Sequence, residues 1–245
     1  VSTVAMVLET PRRRRTRPGE GGLLREEILV AAESLLAEAG DEAVLTLRAV
    51  AARTGVSTPA VYRHFADKDA LVAAVCMRVW QELGHAVRAA IESTDDPFQG
   101  LRRGAGAFVR FGLEHPLQYR LLMMGAPRPD APPDARPEQE AATACLRYLA
   151  EATRPCIEAG VLHGDPERIA LRAMTALHGC VALMIAQPYF PWPQDQESFC
   201  DEVARMAGLG NAALGEMSAA ALTGTPTAGQ FATAFGDWSR QLTGR

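Results

Sequence analysis

Lysine is almost missing from this chain: of 25 basic residues only Lys68 is a lysine, and the rest are arginines. With a net charge of -4, bulk electrostatic adhesion to nucleic acid is excluded, so any such binding must be local. No G-x-S-x-G, H-E-x-x-H, S-x-x-K or phosphate-binding P-loop occurs, and Asp, Glu and His do not gather at metal-ligand spacing. Gly208 to Ala213 fits a relaxed G-x-G-x-x-A pattern, but it lies in a helical run with no strand before it to carry a phosphate-cradling turn. The chain is therefore read as no enzyme, with no cofactor and no metal.

Other absences narrow the class further. Five cysteines, Cys76, Cys145, Cys156, Cys180 and Cys200, form no C-x-x-C and leave an odd total, which reads as reduced thiols in a cytoplasmic protein. The apolar N-terminal run precedes its arginines, the reverse of a signal peptide, and no stretch of membrane-spanning length is free of charge and proline. A soluble protein without a membrane partner follows. Strand-like alternation and internal repeats are absent too, so the predicted fold is all-α. At 245 residues and 48% apolar, the chain can bury the core of one medium or two small domains.

Four segments are predicted. Residues 1–22, containing the arginine run Arg12 to Arg17, are expected to be a mobile basic arm that can reach a DNA minor groove. Residues 23–70 should form a three-helix domain, residues 71–216 a larger helical domain, and residues 217–245 a flexible tail. In that tail Phe231, Phe235, Trp238 and Leu242 recur at helical spacing and predict a last helix. The proline-rich stretch from Pro127 to Pro137 reads as an exposed loop, and PYFPWP near residue 190 as a stiff aromatic turn.

The run TLRAVAARTGVSTPAVYRHFADKDAL, Thr46 to Leu71, is the most informative part. Thr46 can cap a helix with Leu47, Val50 and Ala51 inward, and Gly55 supplies the backbone freedom that ends it. Ser57 or Thr58 caps a second helix, Pro59 fits its first turn, and Val61 and Phe65 form its buried edge. Thr58, Pro59, Tyr62 and Arg63 are left facing outward. Two short helices joined by a tight turn, the second bearing hydroxyls and a guanidinium, make a helix-turn-helix suited to a major groove.

TLRAVA, GVS, VYRHF and KDAL, in that order and spacing, resemble the N-terminal signature of the TetR family of transcriptional regulators. The resemblance covers about the first quarter of the chain. HPLQYRLLM and ALHGCVALM are similar to a subfamily whose ligand domain carries a tryptophan-histidine-glycine motif, although Leu177 stands in the tryptophan's place. The resemblance implies a homodimer on a palindromic double-stranded DNA operator, most simply a repressor released by a small, mainly apolar effector. A ligand-dependent activator and a ligand-independent regulator remain the alternatives. It also implies that Thr58, Pro59 and Arg63 face bases and that Thr46, Tyr62, His64 and Lys68 grip phosphates. Arg48 can reach either, and Ser57 lies in the turn between.

The resemblance implies that residues 71–216 hold the ligand-binding and dimerisation functions, beside the DNA-binding domain of residues 23–70. The effector is expected among the large, soft side chains of residues 71–216: Met77, Trp80, Phe108, Phe111, Met123, Tyr148, Met174 and His178. The helix from Pro166 is apolar around more than one face and must be covered on two sides. Leu177, Val181 and Met184 on it, with Val203, Met206 and Leu214 on the next helix, are therefore predicted at a dimer interface.

Overall fold

The computed structural model describes residues 21–39, 42–124, 137–216 and 227–243. Among them every regular element is helical: α1 Gly21–Ala39, a 3-10 turn Glu42–Val44, α2 Leu47–Thr54, α3 Thr58–Tyr62, α4 Lys68–Ile91, α5 Pro97–Glu114, α6 Pro116–Met123, α7 Pro137–Glu158, α8 Pro166–Ala186, α9 Gln196–Glu216 and α10 Ala228–Thr243. The basic arm, most of the proline-rich loop and the start of the tail lie outside the described residues, as do the side chains of Leu214, Phe231, Trp238 and Leu242.

Helix boundaries follow from capping chemistry written in the sequence. Asp67, Asp96, Asp165 and Asp195 each accept a hydrogen bond from the backbone N–H three residues on, at 2.7, 2.9, 3.2 and 2.9 Å, opening α4, α5, α8 and α9. Pro97 and Pro166 follow two of these caps in the first turn, where a missing N–H leaves nothing unsatisfied. Thr227 and Gln230 bond each other reciprocally at the head of α10. α7 ends on Gly160, whose φ of 70° lets the Val161 N–H return to the Cys156 carbonyl at 2.8 Å.

Two compact units result. The first runs from the N-terminus through Trp80 and takes in α6 from Leu117; the second comprises Gln81 to Pro116 and the chain from α7 onward. The division thus falls inside α4, later than the boundary at 70 and 71 expected from sequence. In the first unit Ile28, Leu36, Leu45, Val50, Val61 and Leu71 are wholly inaccessible, and Tyr119 of α6 is buried as completely. Arg78 of α4 reaches Glu26 and Glu33 of α1 at 2.7 and 3.0 Å, and Arg53 of α2 forms a two-pronged pair with Glu38 of α1.

In the second unit α8 packs against α5, α7 and α9. Cys156, Leu162 and Ile169 form a buried cluster, with Phe98, Leu101, Ile157 and Ala212 against it. α8 alone among the described helices is long and apolar enough to cross a membrane, yet only 33% of its most apolar window is buried. Its apolar surface exceeds what its own unit covers.

Candidate nucleic-acid interface and ligand cavity

Thr46 caps α2 through its hydroxyl oxygen, which accepts from the Ala49 N–H at 3.0 Å and still leaves the O–H to donate outward. Gly55, with φ 69° and ψ 25°, ends α2 in the left-handed region, and the Val56 N–H returns to the Ala51 carbonyl at 3.0 Å. Ser57 takes the extended cap position of α3 without a side-chain cap bond, and Pro59 sits in the first turn. This turn lets two short helices follow one another within three residues.

The inner face of the motif is apolar, with Leu47, Val50, Ala51, Ala60, Val61 and Phe65 all buried. Arg25 of α1 lays its guanidinium over the Phe65 ring, 5.1 Å from the centroid, which closes the core from outside. The outer face is the reverse. Pro59, Arg63 and Arg48 are exposed, Thr58, His64 and Lys68 half-buried, and Tyr62 is 55% exposed although it is a large ring.

Charge is distributed to the same effect. Arg53 and Arg78 are neutralised by α1 carboxylates, whereas Arg48 and Arg63 have no acidic partner among the described residues. The structure thus brings Thr46, Arg48, Ser57, Thr58, Pro59, Tyr62, Arg63, His64 and Lys68 onto one short stretch around α2 and α3. Hydroxyls, a phenol and unpaired guanidinia in such a run can bond phosphate and base edges.

The second unit contains a partly open cavity of about 340 Å³. Its wall is mostly hydrocarbon from α4, α5, α7, α8 and α9, including Val87, Ile91, Phe98, Phe108, Leu149 and Met174. Its buried polar members, Thr153 and Asn211, are already engaged. The Thr153 hydroxyl donates to the Ala150 carbonyl at 2.7 Å, and Asn211 accepts from Arg172 at 2.7 Å while donating to the Ala207 carbonyl at 3.0 Å. On the wall near α9, Arg102 holds Asp201 with two bonds of 3.1 and 3.0 Å, and Arg205 stands 3.6 Å from the same carboxylate. Those guanidinium bonds keep the Asp201 carboxyl below the usual carboxylate range.

Of the side chains expected to hold an effector, Phe108 and Met174 line this cavity. Met77, Trp80 and Met123 fall in the first unit. Phe111, Tyr148 and His178 share the cavity's unit but not its wall. Phe111 stacks on His115 with ring centroids 4.8 Å apart, and the Tyr148 hydroxyl donates to Glu92 at 3.4 Å under the Arg88 guanidinium. Burial pushes the His178 imidazole below its ordinary range, which favours the neutral ring. Sequence reasoning missed Gly100 and Gly104, whose four-residue spacing on α5 signals a close helix approach.

The predicted interface residues on α8 require correction. Leu177, Val181 and Met184 are buried inside their own subunit, because the 169, 177, 181, 184 positions form the inward stripe of the helix. The outward stripe is Leu171, Thr175, Gly179 and Leu183, with Leu183 47% exposed. On α9 Val203 is half-buried, Met206 is 61% exposed, Leu209 is exposed beside it, and the side chain of Leu214 lies outside the described residues. A side chain at Gly179 or Gly210 would meet nothing within 4 Å.

An all-α chain with an outward-facing helix-turn-helix in one unit and a largely apolar cavity in the other is a DNA-binding transcriptional regulator. Two family models agree: "Bacterial regulatory proteins, tetR family" matches residues 28–75 and "Tetracyclin repressor-like, C-terminal domain" residues 101–207. The chain belongs to the TetR family. It is 38% identical over 99 residues to the HTH-type transcriptional activator FasR of Mycolicibacterium smegmatis, a match spanning 40% of this chain and 44% of that relative. A solved protein of unknown function from Rhodococcus sp. RHA1 is 28% identical, with a TM-score of 0.66 over 83% of this chain and 100% of the other. A TetR-family transcriptional regulator from Pectobacterium atrosepticum shares the fold at 21% identity and a TM-score of 0.60, over 80% and 95% of the two chains.

Proposed function

We propose that the chain acts as a homodimer on a roughly palindromic operator, and that a small, mainly apolar molecule in the cavity changes its affinity for DNA. The observation that carries the DNA half is the outward stretch from Thr46 to Lys68, apolar beneath and presenting the exposed Arg48 and Arg63 above. Arg63 can donate two bonds to a guanine edge, Pro59 offers only apolar contact of the kind a thymine methyl accepts, and Thr46, Tyr62, His64 and Lys68 supply phosphate donors.

A cavity of 340 Å³ falls in the range of small-molecule sites, and its satisfied polar groups favour an apolar guest. α4 carries Val87 and Ile91 on the cavity wall and begins at Lys68, so one continuous helix joins ligand site and DNA-binding unit. A guest can shift DNA binding only by its differential affinity for two arrangements of that helix. For the dimer, the exposed Leu171, Leu183, Met206 and Leu209 with the open Gly179 and Gly210 supply an apolar, closely approachable face on α8 and α9.

A dimer seated on an operator that overlaps a promoter excludes polymerase, so release by ligand gives repression as the first reading. Activation is the second, favoured by the name of the 38% identical relative. Footprinting the intergenic region beside the gene, followed by transcription from it with and without protein, separates them. Transcription that falls on adding protein supports repression, and transcription that rises supports activation. Absence of any protected, palindromic footprint overturns both.

A further inference from the structure

Three sulfurs that play no part in the proposed cavity or DNA surface meet where α8 packs on α9. The Cys180 thiol lies 3.9 Å from the Met184 thioether sulfur, and the Cys200 thiol lies 3.7 Å from that same atom. The two thiols are near enough for each to shift the other's ionisation. Cys180 and Met184, four residues apart, share one face of α8, and Cys200 approaches from α9.

We propose that Cys180, Met184 and Cys200 form a three-coordinate site for a thiophilic monovalent cation, Cu(I). A cation at about 2.3 Å from three sulfurs in one plane holds those sulfurs about 4.0 Å apart. The observed separations of 3.7 and 3.9 Å need adjustments of only a few tenths of an ångström. The thioether selects the ion. Thiolate and thioether together suit Cu(I), whereas divalent zinc takes thiolate, imidazole and carboxylate, none of which completes a set of four here. Among the described residues no group of three His, Cys, Asp or Glu side chains offers a competing site.

Entry and burial are compatible with this role. Met184 and Cys200 are buried, while Cys180 is half-buried and gives an incoming ion its first ligand. Burial raises both thiols, Cys200 to about 12, so both carry their protons until a cation arrives. Binding then breaks two S–H bonds, forms two copper–thiolate bonds and one thioether bond, and releases two protons to solvent. No electron is transferred. The bound ion would tie α8 to α9 inside one subunit.

Full-length protein, reduced and held without oxygen, is titrated with Cu(I) in competition with a chromogenic chelator, and the thiolate-to-metal charge-transfer band is followed. One ion per chain is expected. Cys180→Ser should abolish the band, and Met184→Leu, which keeps apolar volume, should weaken binding at least tenfold while helicity stays unchanged. Equimolar Zn(II) should not displace the ion. A site that persists in Cys180→Ser, equal affinity in Met184→Leu, or displacement by Zn(II) overturns the proposal. Cys200→Ser adds a second thiol variant whose far-ultraviolet spectrum reports folding independently of the metal.

Discussion

The Cβ that Gly104 lacks would lie 2.6 Å from Cγ1 of Ile91, closer than real side chains tolerate. One turn earlier, a Cβ at Gly100 would come within 2.8 Å of the Ile91 carbonyl oxygen. α5 therefore approaches the end of α4 only because both positions lack side chains. Ile91 and Gly104 also line the cavity.

Gly100→Ala is expected to destabilise by about 1 to 3 kcal/mol, because its neighbour is backbone and cannot rotate away. Gly104→Val should also displace the Ile91 side chain into the cavity and weaken apolar ligands more than tenfold. Thermal denaturation reports the first effect and ligand titration the second. Unchanged ligand affinity in a folded Gly104→Val protein would move the binding site elsewhere.

On the DNA face, Arg63→Ala should cost about 1 to 3 kcal/mol and relax preference at one base pair. Tyr62→Phe removes only a hydroxyl and should weaken every sequence alike. Binding measured over an operator library distinguishes these patterns. A Thr58, Tyr62 and Lys68 triple alanine variant that keeps full affinity would exclude α3 as the reading helix.

For assembly, Leu183→Glu combined with Met206→Glu should give a helical monomer with weakened operator binding. Val181→Glu should instead unfold the subunit, since it places a carboxylate in a wholly buried position. Sedimentation and circular dichroism together separate the two outcomes. A double variant that remains a dimer puts the interface on another face.

The Glu38 carboxyl is held below its ordinary value of 4.5, first by hydrogen bonds from Arg53. A depressed carboxyl stabilises the fold above its unfolded value and loses that contribution as pH falls through the folded one. Glu38→Gln should therefore lower the melting temperature slightly at neutral pH. The difference from the unmodified chain should vanish in strong acid. A gap that widens on acidification would contradict the pairing.

The helix-turn-helix was legible because local rules decide it: Thr46 caps, Gly55 turns, and Val61 and Phe65 bury at a fixed spacing. The α8 assignment went astray for a physical reason. That helix is apolar on both sides, so composition showed that two faces are covered without showing which one its own subunit takes. Leu177, Val181 and Met184 fit either answer until α5, α7 and α9 are in place. The cavity set was legible only in part. Phe108 and Met174 converge on it, but Met77 and Trp80 precede the point on α4 where the units divide. Softness of a side chain does not say which unit it enters.

α6 has a practical bearing on dissection of the molecule. Because the first unit includes the chain from Leu117 as well as everything up to Trp80, it is discontinuous in sequence. An N-terminal fragment ending at residue 80 would lack the fully buried Tyr119 and expose whatever that ring covers. Grafting this reading head onto another regulator's body thus means transplanting two separate stretches of chain. An intact protein cut between them by protease should leave the pieces associated.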